Sequence, residues 1–295
     1  MELRVLQYFL AIAREETISG AAEFLHITQP TLSRQMKELE EELGKQLFIR
    51  GNRKISLTED GQLLRKRAEE ITSLVEKTEL EMMASETSLS GDIYIGGGET
   101  EAMRFIARTI QKVQSVHPLI KVHLYSGNAQ DVIERLDNGL IDFGIIIDPA
   151  DISKYDFIKL PTTDRWGVLM RKDSPLSSLD VITAHDIQDK PLICSRQEMV
   201  NNELSGWMNM DFDKFHIIAT YNLIYNASLM VEEGMGYALC LDKLVNTTGD
   251  SSLCFKPLSP QLEVGLALVW KKYQVLSRAS QYFLKTLRDE LHKEV

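Results

Sequence analysis

Hydrophobic positions in the first ninety residues recur in steps of three and four. Leu3, Leu6, Leu10 and Ala13, with Phe9 beside them, mark one face of a first helix. Thr17 is placed to cap a second. Its Gly20, Ala21 and Ala22 are small enough to admit a neighbouring helix, while Phe24 and Leu25 point to a core. After a short turn at His26-Ile27, Thr28 caps a third helix with Pro30 in its first turn, where a missing N–H costs nothing. Leu32, Met36, Leu39 and Leu43 form its buried stripe. Residues 47–50 and 54–57 then read as two short strands turned by Gly51-Asn52. From Thr58 a long helix runs to about residue 88. In it Leu64, Ala68, Ile71, Val75, Thr78 and Met82 alternate steps of four and three, as a coiled-coil seam does. Packing against its own domain competes with that reading.

The pattern changes at Ser90-Gly91. A strand over 93–95, a turn at 96–98, a helix over 99–116, a strand over 120–125, a helix within 131–136 and a strand over 143–147 give a β-α-β-α-β order, hence a parallel sheet flanked by helices. The theme repeats with strands at 192–194, 216–220 and 237–241 and helices through Trp207 and over 227–233. Segments 166–170 and 264–270 join the halves, and a helix over 282–291 closes the chain. Two similar lobes joined by crossover strands make a periplasmic-binding-protein-like module, with a ligand cleft beyond the carboxyl ends of the strands.

Chemistry enters at the third helix. Gln29, Thr31, Ser33, Arg34 and Lys37 fall off its core side, mostly near its start, and the two-helix arrangement is that of a helix-turn-helix. An arginine can meet guanine O6 and N7 with two donors, and a glutamine can pair with adenine. A plain amphipathic helix pair has the same polar face. The net charge of −10 argues against a protein that coats nucleic acid, but Lys45, Arg50, Arg53 and Lys54 make a local basic run with no acid between residues 44 and 58. A basic hairpin after a helix-turn-helix is a wing.

Residues 21–62, AAEFLHITQPTLSRQMKELEEELGKQLFIRGNRKISLTEDGQ, resemble the winged helix-turn-helix of LysR-type transcriptional regulators. The Thr-Gln-Pro start of helix three, its Leu-Ser-Arg-Gln, the Leu-Glu-x-Glu-Leu-Gly at its end, the Leu-Phe-x-Arg before the wing and the Leu-Thr-Glu-x-Gly after it all stand in order. The resemblance implies that Gln29, Pro30, Thr31, Ser33 and Arg34 face DNA and that Arg53 lies on the wing. It implies a dimerising linker helix, and so a homodimer or homotetramer on double-stranded promoter DNA, with RNA polymerase a further partner. Residues 136–145 and 233–239 are similar to segments of the LysR-type effector domain. The fold class expected is α/β with an all-α, winged N-terminal domain over 1–58, a linker helix over 59–89 and a two-lobed effector domain over 90–295. Lobe I spans about 90–161 and 266–295, and lobe II about 162–265.

Topology supplies effector-site candidates: Thr100 at the start of the first lobe I helix, Asp148 after the third strand, Ser195 and Arg196 after the first strand of lobe II, and Tyr225 and Asn226 at the start of a lobe II helix. For each, an ordinary cap or loop role competes with ligand contact. Helix starts and Arg196 favour anions, whereas Glu99 and Glu101 oppose them, so a small polar or amphipathic ligand fits better than a dicarboxylate.

No enzyme is expected. The six histidines show no paired metal spacing, residues 95–101 lack a phosphate-loop lysine, and no nucleophile elbow occurs. No cofactor is expected. Three cysteines, an odd number, point to a reducing cytosol, and Cys194 reads as a lone buried thiol rather than a switch. No signal peptide is apparent and no run approaches the ~18 apolar residues of a membrane span, so the location expected is cytoplasmic, with no membrane partner. The competing reading is a two-lobed carrier or enzyme with an incidental helical extension. A constitutive DNA-bound protein without an effector is a third.

Overall fold

The computed structural model describes residues 1–51, 54–83, 89–148 and 150–294, which divide into two units, Met1–Met83 and Ala84–Val295. The first unit runs α1 (Leu3–Glu15), α2 (Ile18–Phe24), α3 (Gln29–Leu43), β1 (Phe48–Arg50), β2 (Ile55–Leu57) and α4 (Glu59–Met83). Hydroxyl caps start three of its helices. Thr17 accepts from the Gly20 amide, Thr28 from the Thr31 amide and Thr58 from the Gly61 amide. The core joins Leu6, Phe9 and Ile12 of α1 to Ala21 and Ala22 of α2, the stripe Leu32, Met36 and Leu39 of α3, Leu47 and Phe48 at the wing, and Ala68 of α4. Ala21 and Ala22 of α2 are buried, as the close approach of a second helix requires.

Three expectations need correction here. The buried face of α1 is turned toward Ile12, while Leu10 and Ala13 are only half-buried. Phe24 is 53% exposed rather than in the core, lying under the Arg14 guanidinium at 3.8 Å, because it ends a seven-residue helix whose inner face is already filled by alanines. Leu43, on the last turn of α3, is likewise outside the core. The linker helix divides its apolar positions. Ala68 and Leu64 pack into the head, whereas Ile71, Leu74 and Met82 are exposed. The stretch 84–88 at its expected end lies outside the described residues.

The second unit holds a five-stranded and a six-stranded sheet. In the first, strands β3 (Gly91–Gly97), β4 (Ile120–Ser126), β5 (Phe143–Ile147), β6 (Tyr155–Lys159) and β13 (Leu266–Lys271) lie in the order β4-β3-β5-β13-β6. In the second, β7 (Asp164–Arg171), β8 (Leu192–Ser195), β9 (Ile217–Tyr221), β10 (Tyr237–Leu241) and β11 (Leu253–Pro257) lie in the order β11-β7-β10-β8-β9, with β12 (Glu263–Val264) on β7. Helices α5 (Met103–Val116), α6 (Ala129–Asp137) and α10 (Arg278–Glu294) cover lobe I. Helices α7 (Ala184–Ile187), α8 (Glu198–Met208) and α9 (Ile224–Glu232) belong to lobe II. Burial alternates along the strands. Ile145 and Leu268 face α5 and α10, whereas Ile146 and Val269 face α6. Both faces of each sheet are covered, which is why the central strands read as continuous apolar runs.

The sheets are mixed, not purely parallel. β13 runs antiparallel to β5 and β6, and β7 antiparallel to β10 and β11. These are the strands by which the chain crosses between lobes. The expected turn at residues 96–98 is instead strand through Gly97. A Cβ at Gly96 would stand 2.7 Å from Ile141 Cδ1 and 3.3 Å from Val132, so glycine there serves packing of α6 on the sheet. β6 and β11 went unread because their residues are largely half-buried or exposed and carry little alternation.

In the head, a Cβ at Gly61 would overlap the Leu47 backbone carbonyl, which cannot yield as a flexible side chain could. Gly61→Ala is expected to destabilise the N-terminal unit by about 1–3 kcal/mol. Urea unfolding followed by circular dichroism checks this: an unchanged midpoint contradicts it.

Candidate functional site

On α3 the sequence-derived DNA candidates lie together. Gln29, Pro30, Thr31 and Arg34 are exposed and Ser33 is half-buried, all within the first two turns. Thr28 and Thr31 share a hydroxyl hydrogen bond at 2.8 Å. Arg34 pairs with Glu38 at 3.3 Å and Lys37 with Glu41 at 3.4 Å, both exposed. Glu40 is structural, since its Oε1 accepts from the Leu47 amide at 2.7 Å and the Phe48 amide at 3.3 Å and so ties α3 to the wing. In the wing the Gly51 amide donates to the Lys54 carbonyl at 2.9 Å, and the Ile55 amide donates to Glu16 of α1 at 2.7 Å. Lys54 pairs with Glu16 and Lys45 with Asp60, so these two members of the basic run are paired on the head's own surface. Such exposed pairs are worth about 0–1 kcal/mol and exchange readily for phosphate. Arg53 lies outside the described residues.

Between the lobes of the second unit is a cleft of about 740 Å³. The carboxyl ends of β5 and β8 and the starts of α6 and α9 meet there. Of the expected effector residues, Ser195 and Arg196 line it; Thr100, Asp148, Tyr225 and Asn226 are not among its lining residues. The reasons are local. α5 begins at Met103, not at 99, so Thr100 sits in the entry loop, and its hydroxyl donates to Asp164 at 2.5 Å while accepting from the Ala102 amide. Asp148 lies against Gly265, whose carbonyl accepts the Asp148 amide, at the second crossing. α9 begins at Ile224, which turns Tyr225 outward to 67% exposure.

What the cleft does contain was partly hidden from sequence. Glu99 accepts the Ile224 amide, and Gln197 accepts the Ala129 amide. The Trp166 indole N–H is buried with no hydrogen-bond partner among the described residues, and Trp166 is one of the residues that line the cleft. Among the described lining residues, four carboxylates (Glu99, Asp131, Glu134, Asp151) accompany one cation, Arg196. Trp166 could have been flagged only as a polar-tipped aromatic on a crossing strand.

Desolvation sets the titration of the interior. The Cys194 thiol is pushed up to about 12 by burial, and Cys240 is raised for the same reason, so both stay protonated at neutral pH. Burial raises Asp164, with the Thr100 hydrogen bond opposing. Burial also raises Glu203 of α8, Asp148 adds like-charge repulsion, and Glu203 Oε2 has no partner among the described residues. No helix among the described residues is long and apolar enough to cross a membrane.

A winged helix-turn-helix head and a separate two-lobed α/β module with a central cleft define a DNA-binding regulator with a ligand-responsive domain. The comparisons agree. Residues 3–62 match the model for the bacterial regulatory helix-turn-helix protein of the lysR family, and residues 86–292 match that for the LysR substrate binding domain. The chain belongs to the LysR family of transcriptional regulators, which are not enzymes. It is 26% identical over 292 residues to the uncharacterized HTH-type regulator YvbU of Bacillus subtilis, covering 98% of each chain. It is 30% identical over 219 residues to the regulator BsdA of the same species, covering 73% of each. The fold is similar to that of the LysR-family regulator CbnR, with a TM-score of 0.77 at 18% identity over 98% of this chain and 99% of that one.

A carboxyl whose folded-state pKa is raised favours folding below its unfolded value, and that contribution is lost as pH rises through the folded value. Glu203→Gln mimics the protonated form. Its unfolding temperature relative to the parent should therefore be higher at pH 8 than at pH 4. Thermal scans at both pH values check this, and an equal difference at the two contradicts it.

Proposed function

We propose that the chain reads promoter DNA as a homodimer or homotetramer in the cytoplasm, and that a small molecule between its two lobes adjusts its action on RNA polymerase. In this reading 1–58 is the DNA head, 59–89 the linker and 90–295 the effector domain. The start of α3 enters the major groove. Arg34 contacts a base edge, Gln29, Thr31 and Ser33 contact bases or phosphates, Pro30 shapes the first turn, and Arg53 follows the backbone from the wing. The observation that carries this is the exposed polar first turn of α3 on a fully packed winged head. Support also comes from CbnR, whose fold this chain shares and whose full-length form is known in complex with its target DNA.

Assembly is assigned to the distal part of α4. Ile71 is 39% exposed there and Met82 81%, both on the period of a two-helix seam, and Leu74, 41% exposed, flanks it. Two-fold pairing would present two reading helices to two half-sites. The effector site is assigned to the cleft, with Ser195 and Arg196 retained from the sequence and Trp166 added as a lining residue.

Arg34→Ala should weaken specific binding about 10- to 100-fold, the worth of a bidentate base contact, while leaving folding and oligomer size unchanged. Footprinting on a genomic promoter library checks this; unchanged protection removes Arg34 from the reading role. Replacing Ile71 and Leu74 together by glutamate should shift the protein to smaller species by light scattering. A parent-like mass would take the seam out of the assembly.

A further inference from the structure

The two lobes exchange caps. α9 of lobe II begins at Ile224, and its N-cap residue, Leu223, has no side-chain oxygen to offer the first-turn amides. The Ile224 amide donates instead to the Glu99 carboxylate, 2.5 Å away and 125 residues earlier, on the loop after β3 of lobe I. α6 of lobe I shows the converse. Asn128 and Asp131 close a capping box at its start, which leaves the Ala129 amide unserved by its own turn. That amide donates to Gln197 Oε1 of lobe II at 3.2 Å. Gln197 is itself steadied by Ser195, whose hydroxyl accepts from the Gln197 backbone amide at 3.3 Å. Both capping side chains line the cleft.

A cap supplied by a neighbour in sequence holds whatever the lobes do. A cap supplied by the opposite lobe holds only while the lobes keep their spacing. Here two such caps run in opposite directions across one cleft. Beside Glu99, Thr100 is fixed to Asp164 on the crossing strand β7, so the loop carrying Glu99 is anchored where the lobes join. We propose that Glu99 and Gln197 are reciprocal inter-lobe latches that set the spacing of the two lobes, so that opening one opens the other. Their regulatory meaning rests on the cleft's being the effector site: whatever enters it meets both latches and biases the lobes through them. The latches themselves do not depend on that reading.

The first-turn amides of Ala129 and Ile224 have no partner within their helices, so their hydrogen exchange reports each latch directly. Exchange is measured on the full chain without added ligand, for the parent, Glu99→Ala, Gln197→Ala and Glu99→Gln. Coupled latches predict that either alanine variant speeds exchange about tenfold or more at both amides, not only at the one it caps. Glu99→Gln, which keeps an acceptor, should retain most of the protection at both. Unchanged exchange in β3 and β10 shows that the fold is intact. If each alanine variant frees only its own amide, or neither amide responds, the latch is overturned. Because no effector is used, a failed latch leaves the cleft assignment standing, and a cleft that binds nothing leaves a coupled-exchange result standing.

Discussion

The first turn of an α-helix leaves backbone amides with no acceptor inside the helix, and the parts of this chain differ in who supplies one. α3 is capped at Thr28 by a short hydroxyl, which keeps the rest of its first turn exposed. A long capping side chain reaching back over the turn would cover the surface that is to meet DNA. In the two-lobed unit the opposite arrangement holds. The entry to α5 is held by Asp164, the start of α6 by Gln197 and the start of α9 by Glu99, each from a distant part of the chain. Helix starts that would attract an anion are filled by the chain's own oxygens. A ligand in this cleft therefore meets a surface already satisfied at those amides, with Arg196 the cation among the described lining residues.

The crossing strands make this exchange of caps possible. β12 pairs antiparallel with the start of β7, Val264 beside Asp164, so the outgoing and returning crossings run side by side. Asp164 stands at the start of the outgoing strand, and the Asp148 amide is bonded to Gly265 just before the returning one. Besides these backbone crossings the lobes are joined by side chains, Glu99 to the Ile224 amide and Gln197 to the Ala129 amide. Side-chain hydrogen bonds are weak enough to break during function, whereas the crossing strands carry sheet hydrogen bonds and buried apolar faces.

How much of this the sequence carried depended on whether the signal was local. The caps at Thr17, Thr28 and Thr58, the stripe Leu32–Met36–Leu39 and the strand Tyr237–Leu241 are encoded within a few residues, and each formed where its pattern placed it. Ser195 and Arg196 were legible because a strand end in a doubly wound lobe must point to the cleft. Thr100, Tyr225 and Asn226 are not in the cleft lining, because α5 starts four residues later than its pattern placed it, leaving Thr100 in the loop, and α9 starts three residues earlier, putting Tyr225 and Asn226 inside its first turn. Glu99 and Gln197 carried no readable signal, since the group each caps lies 125 and 68 residues away. The linker seam was ambiguous for a physical reason. One continuous period serves two partners, Leu64 and Ala68 facing the head and Ile71 and Met82 left exposed.

The acidic balance of the chain bears on how strongly the head holds any DNA rather than on which sequence it holds. Counterion release rewards every cation that meets a phosphate, independent of sequence, and a net charge of −10 holds that reward to a small surface. On the head, Arg34, Lys37, Lys45 and Lys54 each stand against a carboxylate. Leaving those exposed partners costs little, about 0–1 kcal/mol each, but it is a cost that non-specific phosphate contact must meet as fully as specific contact. A base pair correctly placed against α3 adds a geometric term that a wrong one lacks. Subtracting the same electrostatic amount from both states leaves their difference intact while lowering the weaker one toward insignificance. Paired cations on an acidic protein thus weaken binding to any duplex without changing the ratio of specific to non-specific affinity, and that ratio, which decides occupancy when competing sites are vastly in excess, is left to the base contacts of α3.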